Sequence, residues 1–210
     1  QKRIEASEVK FLDLLSAPLR IELRTELYAP NLLEHYVFWL YDKKSHAAMS
    51  QLCFECVGSE NLSKHDILFA DFSEAPSMFV ITAGSMAYRR ILNVDVSLPV
   101  RCYIQQGCMI SEPTLWVSWI HRGTMEALTE ANVMSVNSDT FGKVTRQQSE
   151  VFPEMKAYAA EYVKNMASVV EQHGLLLDVA MDYLIASGTD AVTSQCVRRL
   201  TQDNDPQTGC

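Results

Sequence analysis

The sequence predicts an α+β chain: an eight-stranded β-roll, or jelly roll, with helices at both ends. Three observations predict it. Leucines recur at helical spacing before residue 40. Short apolar runs separated by turn residues fill 62–106, the pattern of a sandwich or roll. An amphipathic stripe follows Pro153 and stops at Gly174.

Residues 1–57 read as helices. Leu12, Leu15, Leu19, Leu23 and Leu27 share one face, with Glu and Arg between them. Pro30 is expected to break that helix and Asn31 to cap the next. Leu32, Leu33, Tyr36, Val37, Trp39 and Leu40 form a dense apolar patch, and Ala47 to Val57 is expected as a further helix. Cys53 and Cys56 have the Cys-x-x-Cys spacing. No second ligand pair or strand-to-helix context follows them, so they read as small core residues.

Strands are expected at 65–69, 77–81, 86–90 and along the alternating run from Val94 to Tyr103, with Gly84 as a turn. Arg89 and Arg90 read as solvated charges at a sheet edge. A last strand is expected over 131–136, with Ser138 capping the helix that carries Phe141.

Between the strands and the C-terminal helices lies the stretch most suited to binding, Gly107 to Phe141. Pro113 fits the first position of a short helix, where a missing N–H costs nothing. The free N–H groups of a helix start favour an anion. Glu112 can accept from a hydroxyl, and His121 and Arg122 are the nearest cations. Trp116 and Trp119 read as core residues with Leu115 and Ile120, with stacking on a base as the alternative.

Met155, Tyr158, Tyr162, Met166 and Val170 build the stripe of the long C-terminal helix. Leu175 to Ile185 is expected as a further short helix. From Ser187 the chain is polar and expected to be disordered. The expected division is therefore 1–57 linker helices, 58–150 β-roll, 151–186 C-terminal helices and 187–210 tail.

With 210 residues and a net charge of −8, the chain has room for a core and none of the basic character of a nucleic-acid surface. No apolar run reaches a membrane span. The six scattered cysteines suit a reducing compartment rather than a disulfide scaffold. Nucleophile elbows, paired metal ligands and Walker-type loops are absent, so neither catalytic residues nor a metal site nor a cofactor is expected. On paper, Ser111, His121, Asp66 and Cys108 are the residues a nucleophilic site would use.

The register of Gly107, Glu112, Leu115, Thr124 and Phe141 resembles the phosphate-binding cassette of the cyclic-nucleotide-binding domain family. That pattern is roughly Gly-x-x-Phe-Gly-Glu-x-x-Leu, then Arg-x-Ala-Thr nine residues after the Glu. Here Ile110-Ser111 replaces Phe-Gly before Glu112, and His121, with Arg122 beside it, replaces the arginine. Phe72 stands where the family often has glycine. The run Ala17-Pro18-Leu19-Arg20-Ile21-Glu22-Leu23 resembles the linker joining pore to sensing domain in cyclic-nucleotide-regulated and related voltage-gated channels.

The resemblance implies a ligand site of Gly107, Ser111, Glu112, His121, Arg122 and Thr124, with Glu112 on the ribose and the cation on the phosphate of cAMP or cGMP. It implies the linker and sensing, or homology, domain of an ion channel on the cytoplasmic side of a membrane. It also implies a homo-tetramer formed through the linker helices, and a pore lying upstream. A soluble cyclic-nucleotide-binding regulatory protein, or a β-roll interaction module without ligand, is the alternative.

Overall fold

The computed structural model describes residues 14–90, 100–173 and 178–179. Three helices open it: α1 (Ala17–Leu32), α2 (Tyr36–Lys44) and α3 (His46–Glu55). Eight strands follow among the described residues: β1 (Val57–Leu62), β2 (Ile67–Phe69), β3 (Ser77–Ala83), β4 (Ser85–Arg90), β5 (Val100–Gln105), β6 (Met109–Ile110), β7 (Thr124–Ala127) and β8 (Ala131–Asn137). A 3-10 helix (Glu112–Leu115) sits between β6 and β7, and α4 (Ser138–Gln147) and α5 (Phe152–His173) close the described chain.

The strands form two antiparallel sheets, ordered β1-β8-β3-β6 and β2-β7-β4-β5. Phe79 and Ile81 of β3, Met86 and Tyr88 of β4, and Met125 of β7 fill the space between them. A second apolar cluster joins Leu32, Phe38, Met49 and Leu52 of the first three helices to Met78, Val80, Met134 and Val136 on one sheet, and to Phe141 and Met155 behind it. The N-terminal helices are thus packed onto the roll through a shared core.

Several expectations change in detail. Pro30 does not end α1. It lies in the last turn, where its missing N–H forfeits one hydrogen bond, and the helix runs on to Leu32. Asn31 therefore caps nothing. The cap of α2 is His35, whose ring accepts from the Val37 N–H. At α4 the cap is Asn137, one residue before the expected Ser138, and its side chain accepts from the Thr140 N–H.

β1, β6 and β7 have no counterpart among the expected strands, and β6 is only two residues long. β1 is polar along its middle and, among the described residues, pairs with β8 alone, and β7 is four residues long. The expected strand start at Val94 and the expected helix over 175–185 lie outside the described residues, apart from 178–179. So does the tail.

Cys53 and Cys56 are buried and free, as small core residues. Cys108 is disulfide-bonded, contrary to the expectation of unpaired cysteines. Spacing along the chain does not report which sulfurs the fold brings together.

Phe72 sits in the turn between β2 and β3 with φ +63°. The turn keeps the left-handed backbone that a glycine would supply, and the phenyl ring is left 78 % exposed. The Phe72 N–H is held by the His121 carbonyl at 3.0 Å.

Candidate functional site

Gly107 makes the turn that leads into the site. Its φ of +86° is the left-handed region, and its N–H is bound to the Ile81 carbonyl at 2.8 Å. Strand β6 then runs into Ser111, also left-handed at φ +62° and wholly buried. The backbone reverses there and starts the 3-10 helix. The Thr114 N–H closes onto the Ser111 carbonyl at 3.1 Å. The expected anion seat on the N–H groups after Pro113 is therefore used internally, at least at its first donor.

His121 lies in the segment between the 3-10 helix and β7. The β2–β3 turn pins its main chain, since its N–H donates to the Ser73 carbonyl at 2.9 Å. The imidazole is 1 % exposed and stacks flat on Phe69, with ring centres 3.7 Å apart.

An anion does occupy the site, and it belongs to the chain itself. Asp178 is 2 % exposed and lies against this segment. Its Oδ1 accepts from the Trp119 indole N–H at 2.8 Å, from His121 Nδ1 at 3.0 Å and from the Ser111 hydroxyl at 3.3 Å. Its Oδ2 accepts from the Arg122 main-chain N–H at 2.7 Å and from the Tyr88 hydroxyl at 2.9 Å. The main chain is read as well: the Ser111 N–H donates to the Asp178 carbonyl at 2.8 Å. Burial by itself would raise the Asp178 pKa. The donors from His121, Trp119 and the Arg122 N–H outweigh it and hold the carboxyl below its usual range. Burial, and then the charge of Asp178, push the Tyr88 hydroxyl far up, so it stays a donor.

Gly123 makes room for this arrangement. A Cβ there would stand 2.6 Å from the Arg89 carbonyl oxygen and 2.6 Å from Tyr88 Cζ, so any side chain would displace the tyrosine.

Glu112 is next to this cradle but faces elsewhere. It is 2 % exposed. Oε1 accepts from the Trp116 indole at 3.2 Å and the Tyr158 hydroxyl at 3.0 Å, and Oε2 lies 3.1 Å from His35 Nε2. One carboxylate thus ties together the entry of α2, the 3-10 helix and α5.

Of the six residues expected at the site, Ser111, His121 and the Arg122 backbone meet on Asp178. The Arg122 guanidinium lies over the Trp119 ring at 5.3 Å. Gly107 shapes the approach, and the Thr124 hydroxyl accepts from the Asp71 N–H at 3.2 Å. The nucleophilic grouping does not assemble. Asp66 accepts from the Ser63 N–H on an exposed turn, and Cys108 is in a disulfide. Ser111 and Asp178 both address the same His121 nitrogen, whereas a serine activated for attack needs the two on opposite sides of the ring.

No family model matches this sequence, and no curated protein does. Solved structures do match. The sensor domain of the transcriptional regulator DNR from Pseudomonas aeruginosa superposes with a TM-score of 0.53 and 11% identity, over 72% of this chain and 95% of that one. The regulatory domain of Toxoplasma gondii PKA, solved with cAMP, gives 0.50 and 13%, over 67% and 51%. The N-terminal domain of a transcriptional regulator from Streptomyces coelicolor gives 0.50 and 14%, over 66% and 94%. The fold is the cyclic-nucleotide-binding jelly roll. The matched part spans only about half of the Toxoplasma gondii domain, 51%, and of a putative cyclic nucleotide binding protein from Ruegeria pomeroyi, 55%. At such identities the likeness speaks for the fold alone.

On this jelly roll, sequence reasoning missed Asp178, Tyr88, Trp119 as a donor, and the His35 and Tyr158 partners of Glu112. Asp178 carried a signal: it is one charge inside the apolar run Leu175-Leu176-Leu177-Asp178-Val179-Ala180-Met181, and a charge in such a run is buried only with partners.

Proposed function

We propose that the chain is the linker and sensing portion of an ion channel on the cytoplasmic side of a membrane, and that it gates or assembles the channel as a homology domain with its own Asp178 in the ligand position. The observation that carries this reading is the buried carboxylate seated on Ser111, Trp119, His121 and Arg122, within the stretch that resembles a phosphate cassette. The linker-like run folds as part of α1, with Leu19 and Leu27 exposed. Tyr36 and Trp39 of α2 are exposed as well. Such apolar surface suits self-association, here into a homo-tetramer. Among the described residues no helix is long and apolar enough to cross a membrane.

The mechanism is a population shift. Ser111 holds Asp178 and the adjacent Glu112 holds His35 and Tyr158, so release of Asp178 disturbs the entry of α2 and α5 together. No catalytic step is assigned.

A second reading is a soluble regulatory protein in which cAMP or cGMP displaces Asp178. The jelly roll it shares with a regulatory domain solved with cAMP favours this reading. Glu112 would then meet the ribose, and His121 and Arg122 the phosphate, with Gly107, Ser111 and Thr124 completing the cassette.

Hydrogen exchange on the intact chain and on Asp178→Ala tests the gating reading. Faster exchange is expected in residues 152–173 and 32–44. No change in either region would leave no route from site to linker. Sedimentation at tens of micromolar should show more than monomer, reduced by Leu19→Glu with Trp39→Glu. A strictly monomeric chain counts against the linker assignment. Calorimetric titration with cAMP and cGMP decides between the two readings. Tight binding to the wild-type chain favours the second.

A further inference from the structure

Ser111 and His121 are two of the positions at which the sequence departs from the phosphate cassette it resembles, Ile110 and Gly123 being others, and Ser111 and His121 are both donors to Asp178. A glycine at 111 would have no hydroxyl to give. The left-handed backbone there is one that glycine adopts freely and serine does not, yet serine occupies it and points its Oγ at the carboxylate. His121 offers one N–H from a ring clamped flat on Phe69, where an arginine would offer a two-pronged fork suited to phosphate. Trp119 adds a neutral indole donor, and the nearby Arg122 guanidinium rests on that indole. The two carboxylate oxygens receive five donors among them, and a main-chain carbonyl receives a sixth from the Ser111 N–H.

Resting on the reading that the pocket holds an internal ligand, we propose that this cassette is a receptor for an aspartyl peptide, built to take a carboxylate carried on a peptide main chain in preference to a cyclic phosphate. The occupant is the segment of this chain that carries Asp178. A buried site in which every donor is matched by its ligand rejects one that leaves donors unpaired far more strongly than an apolar pocket rejects a misfit. A cyclic nucleotide would lack the fork that its phosphate needs, and would have to replace a tethered ligand whose effective concentration is on the order of millimolar.

The test is fluorescence anisotropy with a labelled synthetic peptide of residues 172–183, added to the intact Asp178→Ala chain. Asp178→Asn serves as a second, isosteric host in case the first folds poorly. The peptide should bind either variant, and bind the wild-type chain at least about tenfold more weakly because the internal copy competes. The same peptide with asparagine at the 178 position should bind about ten- to a hundredfold more weakly, the value of a charge-assisted hydrogen bond. Unlabelled cAMP and cGMP should not displace the aspartyl peptide from Asp178→Ala. They should begin to do so when Ser111→Gly and His121→Arg are added.

The proposal is overturned if neither folded variant binds the peptide, if the asparagine peptide binds equally well, or if cyclic nucleotide displaces the peptide from Asp178→Ala as readily as unlabelled peptide does. Peptide binding with no exchange response in residues 32–44 would leave the receptor standing and remove only the gating reading.

Discussion

Glu112 and His35 are joined by a buried contact of 3.1 Å that spans 77 positions of the sequence. His35 Nδ1 accepts from the Val37 N–H at 3.3 Å, so the ring proton is on Nε2, and Nε2 donates to Glu112. Trp116 and Tyr158 supply the other oxygen. Glu112 is therefore satisfied without any ligand, and its first task is to hold the entry of α2 and the middle of α5 on the cassette.

That predicts a cost in the unliganded protein. Glu112→Ala takes the buried carboxylate away from three donors, on His35, Trp116 and Tyr158, and should lower stability by roughly 3 kcal/mol. His35→Ala should cost about 2–3 kcal/mol, since a charged acceptor loses a donor and α2 loses its cap. Urea unfolding measures both. A Glu112→Ala chain as stable as wild type would show a carboxylate that matters only to a ligand.

Phe72 predicts the opposite sign. Its left-handed backbone costs a side-chain residue about 1–2 kcal/mol, while its exposed ring contributes little burial. Glycine removes the strain at some cost in chain entropy, so Phe72→Gly should stabilise by about 0.5–1 kcal/mol. Thermal unfolding of the two chains decides it. A loss of stability would mean that the ring has a packing role its exposure does not suggest.

The roll and its flanking helices were legible because their signals are local. Met78 to Ile81 is buried residue after residue, as its unbroken apolar run implies, and the leucine spacing of 19 to 27 folds as α1. β1 was not legible because Ser59, Glu60 and Asn61 face solvent at an edge and carry no alternation. The cassette could be located, but its occupant could not. Asp178 is separated from His121 by 57 residues and from Tyr88 by 90, and no spacing rule links positions that only the fold brings together. The lone aspartate in an apolar run was visible as an anomaly without an address.

Cys53 and Cys56 should be chemically silent. Burial pushes both thiols up to about 12, and for Cys56 the neighbouring Glu55 charge adds to it. Attack requires the thiolate, which is then scarce at pH 8. Iodoacetamide on the native protein, followed by peptide mass mapping, should leave both unmodified until denaturant is added. Rapid native labelling of either would mean that α3 opens readily.

The Asp178 contact should be insensitive to pH over the neutral range on the aspartate's side and fail only in acid. Burial works against the charged form, but the donors from His121, Trp119 and the Arg122 N–H prevail and depress the folded-state pKa. A depressed acid stabilises the fold in full above its unfolded value, about 3.9, and loses that contribution as pH falls through the folded value. Asp178→Asn keeps the shape and removes the charge, so the difference in unfolding free energy between it and wild type reports the ionised carboxylate. That difference should be about 3 kcal/mol at pH 5, and it should shrink steadily below about pH 4. Paired urea titrations from pH 7 to pH 3 give the curve. A difference that grows as the acid titrates would mean that the buried form is the protonated one, and that Asp178 sits in its cradle as a neutral donor rather than as an anion.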